Sequence, residues 1–165
     1  METIEIKINR HKEVICGIKL SESDYWMVIN ENPGDFVLDG YKFINKRHVK
    51  HVNELDEIDI KRKIFDLKFT LNAMTQISAI PVNSLSSLFL YLKESSELIE
   101  ISLESDEYIL VGKIVEVFDK SFTLDEISAD GKPLRKENIK FVLVRSVGIE
   151  TDYLKSLKLY IDKYS

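Results

Sequence analysis

Val111-Gly-Lys-Ile-Val-Glu-Val-Phe-Asp-Lys-Ser-Phe-Thr-Leu-Asp-Glu-Ile-Ser-Ala-Asp-Gly131 carries the pattern that decides the fold. With Tyr108 to Leu110 before it, the run to Phe118 is apolar on both faces, as in a strand that bends around a small barrel. Gly112 is the point where such a strand can bend. Asp119-Lys120 is a tight turn by composition. Phe122 to Ile127 is a second strand, and Asp130-Gly131 ends it.

Outward from this stretch, a fainter copy lies near the start of the chain. Gly17 precedes Asp24 by seven residues, and Gly112 precedes Asp119 by seven. Each Asp is followed by a β-rich run, a polar loop and an Asp-Gly pair. The spans from Asp24 to Gly40 and from Asp119 to Gly131 are 16 and 12 residues. They differ at the loop that holds Asn-Pro-Gly34.

The flanking segments supply the rest. Ile4, Ile6 and Ile8 alternate, which predicts a half-buried strand. Val14 to Leu20 predicts a second strand. Tyr25 to Ile29 is apolar on both faces and reads as a central one. Phe36 to Leu38 and Tyr41 to Ile44 read as a hairpin around Asp39-Gly40, and Val49 to Val52 closes the first unit. A helix is expected over 56–73, with Ile60, Ile64, Leu67 and Leu71 as its stripe and Phe65 widening it. A second follows Asn83 or Ser84 as cap, with Leu85, Leu88, Phe89 and Leu92 inward. Leu98 to Leu103 alternates, Glu104 to Glu107 turns, and Ile139 to Val144 reads as a buried strand. Tyr153, Leu157, Tyr160 and Tyr164 lie on one face of a C-terminal helix.

On these residues the second unit resembles the Sm-like and SH3-like small barrels. The resemblance rests on the helix Leu85–Leu92, on Gly112, on Asp119 with Phe122-Thr-Leu124, and on Leu143-Val-Arg145-Ser-Val147. It implies a mainly β fold with helices: two small barrels joined by a two-helix linker, plus a C-terminal helix. The boundaries would be 1–54 for the first barrel, 55–82 for the helical linker, and 83–165 for the second barrel. In Sm-like RNA binders an Asp, an Asn and an Arg-Gly surround a uridine base. The matching positions are Asp119, Thr123 and Arg145-Ser146, with Thr and Ser replacing the Asn and the Gly.

Composition narrows the function. The 165 residues carry 44% hydrophobic and 31% charged side chains, those of an ordered globular chain. Net charge is −5. Residues 1–52 balance eight bases against eight acids, whereas 97–152 carry seven against thirteen. An acidic chain is poorly suited to capturing phosphate backbones, which disfavours RNA. The single cysteine, Cys16, excludes an internal disulfide and fits a reducing compartment, and it reads as a buried inert thiol. The first residues lack the pattern of a signal peptide, and no run is long enough for a membrane helix. The cytoplasm and no membrane contact are the expectation.

No reactive constellation stands out. His48 and His51 fall on opposite sides of a strand, against a shared metal. They and His11 read as exposed edge residues. Lys42, Lys46, Arg47 and Lys50, interleaved with Tyr41 and Phe43, read as the solvated face of a strand pair. The acids Asp106, Glu107, Asp119, Asp125, Glu126 and Asp130 sit mostly in turns, where carboxylates accept backbone N–H bonds. Neither a cofactor nor a metal is implied. The expected function is a non-catalytic binding or scaffold protein for a protein, a peptide or its own copies. Trp26 reads either as core or as part of an aromatic groove, Tyr41 is a candidate on the aromatic-and-basic surface that Lys42 to His51 would otherwise offer, and Asp119, Thr123 and Arg145 are candidates for a loop-lined site. The alternatives are an Sm-like RNA binder and an enzyme of unrecognised type.

Overall fold

The computed structural model describes residues 1–71, 74–104 and 107–165. The expected end of the first helix at residue 73, the Leu71 side chain of its stripe, and Asp106 in the predicted turn lie outside the described residues. Strands β1 (Thr3–Ile8), β2 (Ile15–Glu22), β3 (Trp26–Glu31), β4 (Tyr41–Asn45) and β5 (Val49–Glu54) come first. Helices α1 (Asp59–Leu71), α2 (Met74–Ser78) and α3 (Leu85–Ser95) follow. Strands β6 (Ile99–Ser102), β7 (Ile109–Val117), β8 (Ser121–Ile127), β9 (Pro133–Lys140) and β10 (Ser146–Ile149) precede helix α4 (Asp152–Tyr164).

All ten strands form one open antiparallel sheet, in the order β5-β1-β2-β3-β4-β10-β6-β7-β8-β9. This overturns the expectation of two barrels joined by a helical linker. The link is β4 against β10, which pairs Tyr41 with Ile149 and Ile44 with Ser146. Without that pairing both strands would be edges with unpaired N–H and C=O groups. The order reads alike in its two halves, β5-β1-β2-β3-β4 and β10-β6-β7-β8-β9. The true edges, β5 and β9, are mostly exposed and polar, and β9 begins with Pro133. Both features discourage pairing with another chain.

The glycine positions behave as their spacing suggests. A Cβ on Gly17 would lie 2.5 Å from the Asn30 carbonyl oxygen, and one on Gly112 would lie 2.2 Å from that of Asp125. The register then slips between Lys19 and Ser21 in β2, and between Ile114 and Glu116 in β7. Each bulge falls just after its glycine, and bulges sharpen local bending. The turn at Asp119-Lys120 is closed by Phe118 N–H donating to the Ser121 carbonyl at 2.7 Å.

One core spans both halves. Trp26, Val28 and Phe43 from the first half pack with Ile99, Ile101, Phe122 and Val147 from the second. Helix α3 covers them with Leu88, Phe89 and Leu92. Phe89 stacks on Phe122 at 4.3 Å and on Phe141 at 5.0 Å, and meets Trp26 edge-on at 6.0 Å. Ser84 starts α3 with a capping box shared with Ser87, as one of the two expected caps. A second cluster joins Ile4, Ile6 and Ile8 to Met27, Ile29 and Ile44, and α4 seats Leu154 and Leu157 beside Leu98.

Three local expectations change. Asp39-Gly40 does not join two hairpin strands, because residues 36–40 form no strand. Ile139 to Val144 is the end of β9 followed by a 3-10 turn at Phe141–Leu143, and Val142 and Leu143 are exposed. Among the described side chains of α1 the buried one is Phe65, while Ile60 and Leu67 are 56% and 66% exposed. One aromatic ring, with Lys61 Nζ 5.5 Å from its centre, sets the helix rotation against the aliphatic stripe.

Candidate functional site

Three neighbouring strands at the middle of the sheet build the site. Lys42, Gly148 and Glu100 lie in one row across β4, β10 and β6, and Ile44, Ser146 and Ser102 lie in the next. Strand alternation puts both rows on one face. The opposite face carries Phe43, Val147 and Ile101 into the aromatic core. The polar row therefore stands behind the core, at the junction of the two halves.

A cleft of about 420 Å³ opens on this polar face, lined among others by His11, Glu31, Lys42, Glu100, Ser102 and Ser146. Lys42 Nζ reaches both oxygens of Glu31, at 2.8 and 2.7 Å. Glu100 lies across Gly148, where a Cβ would stand 2.5 Å from its Cγ and its Oε1. Gly148 thus makes the space that the Glu100 side chain occupies. Among the described residues, that carboxyl group has no hydrogen bond or ion pair. Burial raises it above the ordinary carboxylate range, Lys42 pulls it back, and Glu31 and Asp39 push it further up.

The walls are held from both halves. His11 is buried, and its Nε2 lies 3.0 Å from Ser102 Oγ. Lys7 Nζ donates to the Lys12 carbonyl at 2.6 Å and shapes the loop between β1 and β2. Arg145 Nε donates to the Asn9 carbonyl at 3.1 Å, and its Nη1 donates to the Leu103 carbonyl. One guanidinium thereby ties the loop after β1 to the loop after β6. Lys12 and Glu107 pair across the exposed mouth. Among the described lining residues there are four acids, Glu13, Glu31, Glu100 and Glu107, and two bases, Lys12 and Lys42. With His11 neutral, the cleft carries a net charge of −2.

The five residues proposed from sequence are dispersed. Trp26 is 0% exposed, and its indole N–H donates to the Ser84 carbonyl at 3.1 Å, so it joins the core to the start of α3. Tyr41 is half-buried against the same core, and burial raises its phenol pKa. Thr123 is half-buried in β8. Asp119 borders a separate hollow of about 510 Å³ with Tyr25, Leu85 and Phe141. Arg145 is only 7% exposed and faces two backbone carbonyls.

The histidines also differ from expectation. His48 lies in a 3-10 turn, with Nε2 2.7 Å from the Val142 carbonyl, and of the three histidines only His51 is an exposed residue of the edge strand. Cys16 is half-buried, and burial raises its thiol, which keeps it protonated and weakly nucleophilic. Among the described residues, no three His, Cys, Asp or Glu side chains converge on a metal-sized point. No described helix is long and apolar enough to cross a membrane.

Sequence reasoning missed Glu31, Lys42, Glu100, His11 and Ser102 as a group. The available hint was the alternation in β6, Ile99-Glu-Ile-Ser102, which gives a central strand one polar face. The chain matches no protein-family model, no curated protein and no solved structure.

Proposed function

We propose that the chain is a non-catalytic, cytoplasmic binding protein whose working site is the cleft at the junction of the two halves, and whose ligand is a segment of another protein. The observation that carries this reading is the unpartnered Glu100 carboxyl group in a half-polar cleft. A partly buried carboxylate without a protein partner lowers the stability of the free protein, and it is tolerated where a ligand completes it. Val14 and Ile109, 40% and 49% exposed at the cleft, supply the apolar contact a peptide needs. The cytoplasm fits the single, unpaired Cys16. The repeated strand order and the matching bulges after Gly17 and Gly112 support an origin of the two halves in one duplicated five-strand unit. An RNA site at Arg145 has less support, because that guanidinium already faces two carbonyls.

The test is selection from a random peptide library displayed on phage, with the wild type and an Ile109→Asp variant as baits. Peptides retained by the wild type should bind the variant at least ~10-fold more weakly, the scale on which losing one buried apolar contact acts. Selected peptides that bind both equally, or an empty selection, would remove the cleft as the working site.

A further inference from the structure

We infer that the group this cleft takes is a single organic cation, an ammonium or guanidinium, seated on Glu100 beside Glu31. The inference rests on the peptide-binding reading above, and its source there is a lysine or arginine side chain. Four observations lead to it. The described lining residues carry a net −2. The floor holds one cation, Lys42, and both oxygens of Glu31 already engage it. Glu100 is the carboxylate left over, and Gly148 gives it room that any other residue would fill. Finally, the described residues offer no metal-like convergence of ligands, so a carbon-borne cation suits the cleft better than a bare ion.

The electrostatics favour a donor that brings several N–H groups. Charge-assisted hydrogen bonds are the strong ones, and a guanidinium can present two parallel N–H groups to one carboxylate. In a half-buried site such a bond is screened far less than on the surface. Glu100 faces Lys42 and Glu31 from its own sheet, and Asp39 acts on it from the loop before β4. His11 faces the cavity from the loop after β1. Seating a cation draws the proton off Glu100, so affinity should rise as pH rises through the range in which that carboxyl group ionises.

The experiment is isothermal titration calorimetry with four probes. Three are blocked heptapeptides of glycine and alanine with a central arginine, citrulline or glutamate, and the fourth is agmatine. The arginine peptide should bind the wild type ~10-fold or more tighter than the citrulline peptide. The difference should vanish in Glu100→Gln, which keeps size and fold. Agmatine should bind more weakly than the arginine peptide. Agmatine binding as tightly as that peptide keeps the cation and overturns its peptide source. Citrulline or glutamate peptides binding as well as arginine overturn the cation while leaving peptide binding intact. If none of the four probes binds, both readings fall.

Discussion

The two faces of the central strands have opposite chemistry although alternate residues of the same three strands build both. On one face Phe43, Val147 and Ile101 join the buried core in which Phe89 of α3 stacks on Phe122 and Phe141. On the other, one residue along, Lys42, Gly148 and Glu100 form the floor of a charged cleft. The first face supplies cohesion by burying apolar area. The second holds a partly buried carboxylate, which costs stability. At these three strands, then, one face is sealed by the aromatic core and the other carries a charged cleft beside the smaller Ile44 cluster.

The sharpest way to break this contrast is to remove the apolar side. Phe89→Ala should lower stability by about 3–5 kcal/mol, read from urea unfolding, because it leaves a cavity among three aromatic rings. A loss below about 1 kcal/mol would mean that α3 is not what holds that face. Next in size is Arg145→Met, which frees the Asn9 and Leu103 carbonyls. It should cost about 1.5–3 kcal/mol and loosen both walls of the cleft. Hydrogen exchange should then quicken in the loops after β1 and β6, whereas unchanged exchange there would deny Arg145 its role as a tie.

The glycines offer a paired test. Gly112→Ala drives a methyl group into the Asp125 backbone, which moves only with β8, and should cost about 1–3 kcal/mol. Gly148→Ala meets the Glu100 side chain first, which can swing into the cleft, so its cost should be under about 1 kcal/mol. Equal costs would show the cleft floor to be as rigid as the β7–β8 contact.

The smallest effect concerns pH. Burial raises the Glu100 carboxyl pKa in the folded protein. The native state then holds that proton more tightly than the unfolded chain does. The stability tied to it is full below the unfolded value, about 4.3, and is lost as pH rises through the folded value. Glu100→Gln should therefore melt close to the wild type at pH 4 and above it at pH 7, by less than about 4 °C. A difference that does not change between those pH values would show that Glu100 is not held in an unfavourable setting.

Local features of the fold were legible wherever neighbouring residues specify them. The helix cap at Ser84, the C-terminal helix, Gly17 and Gly112 as special backbone points in their strands and the turn at Asp119-Lys120 all rest on local chemistry. The stripe of α1 misled because Ile60, Ile64 and Leu67 match the helical period as well as Phe65 does. Which set is buried depends on the surface beneath the helix. The cleft was hidden for a related reason. Glu31, Lys42, Glu100 and His11 come from four separate segments, and in sequence each is an ordinary charged or polar residue. Trp26 was legible as core on one of its two readings, and the indole bond to Ser84 settles it there.

By itself the sequence determined which residues of each strand share a face, since alternation is a property of the extended backbone. It also determined where strands bend and helices begin, because glycine and capping serine act within a few residues. Only the tertiary structure decided that β4 lies beside β10. Tyr41–Ile44 and Ser146–Ile149 are brought together by backbone hydrogen bonds across about a hundred residues of chain, and backbone groups are the same in every strand. That one pairing turns two expected barrels into a single sheet and sets Lys42 beside Gly148 and Glu100, where the cleft forms.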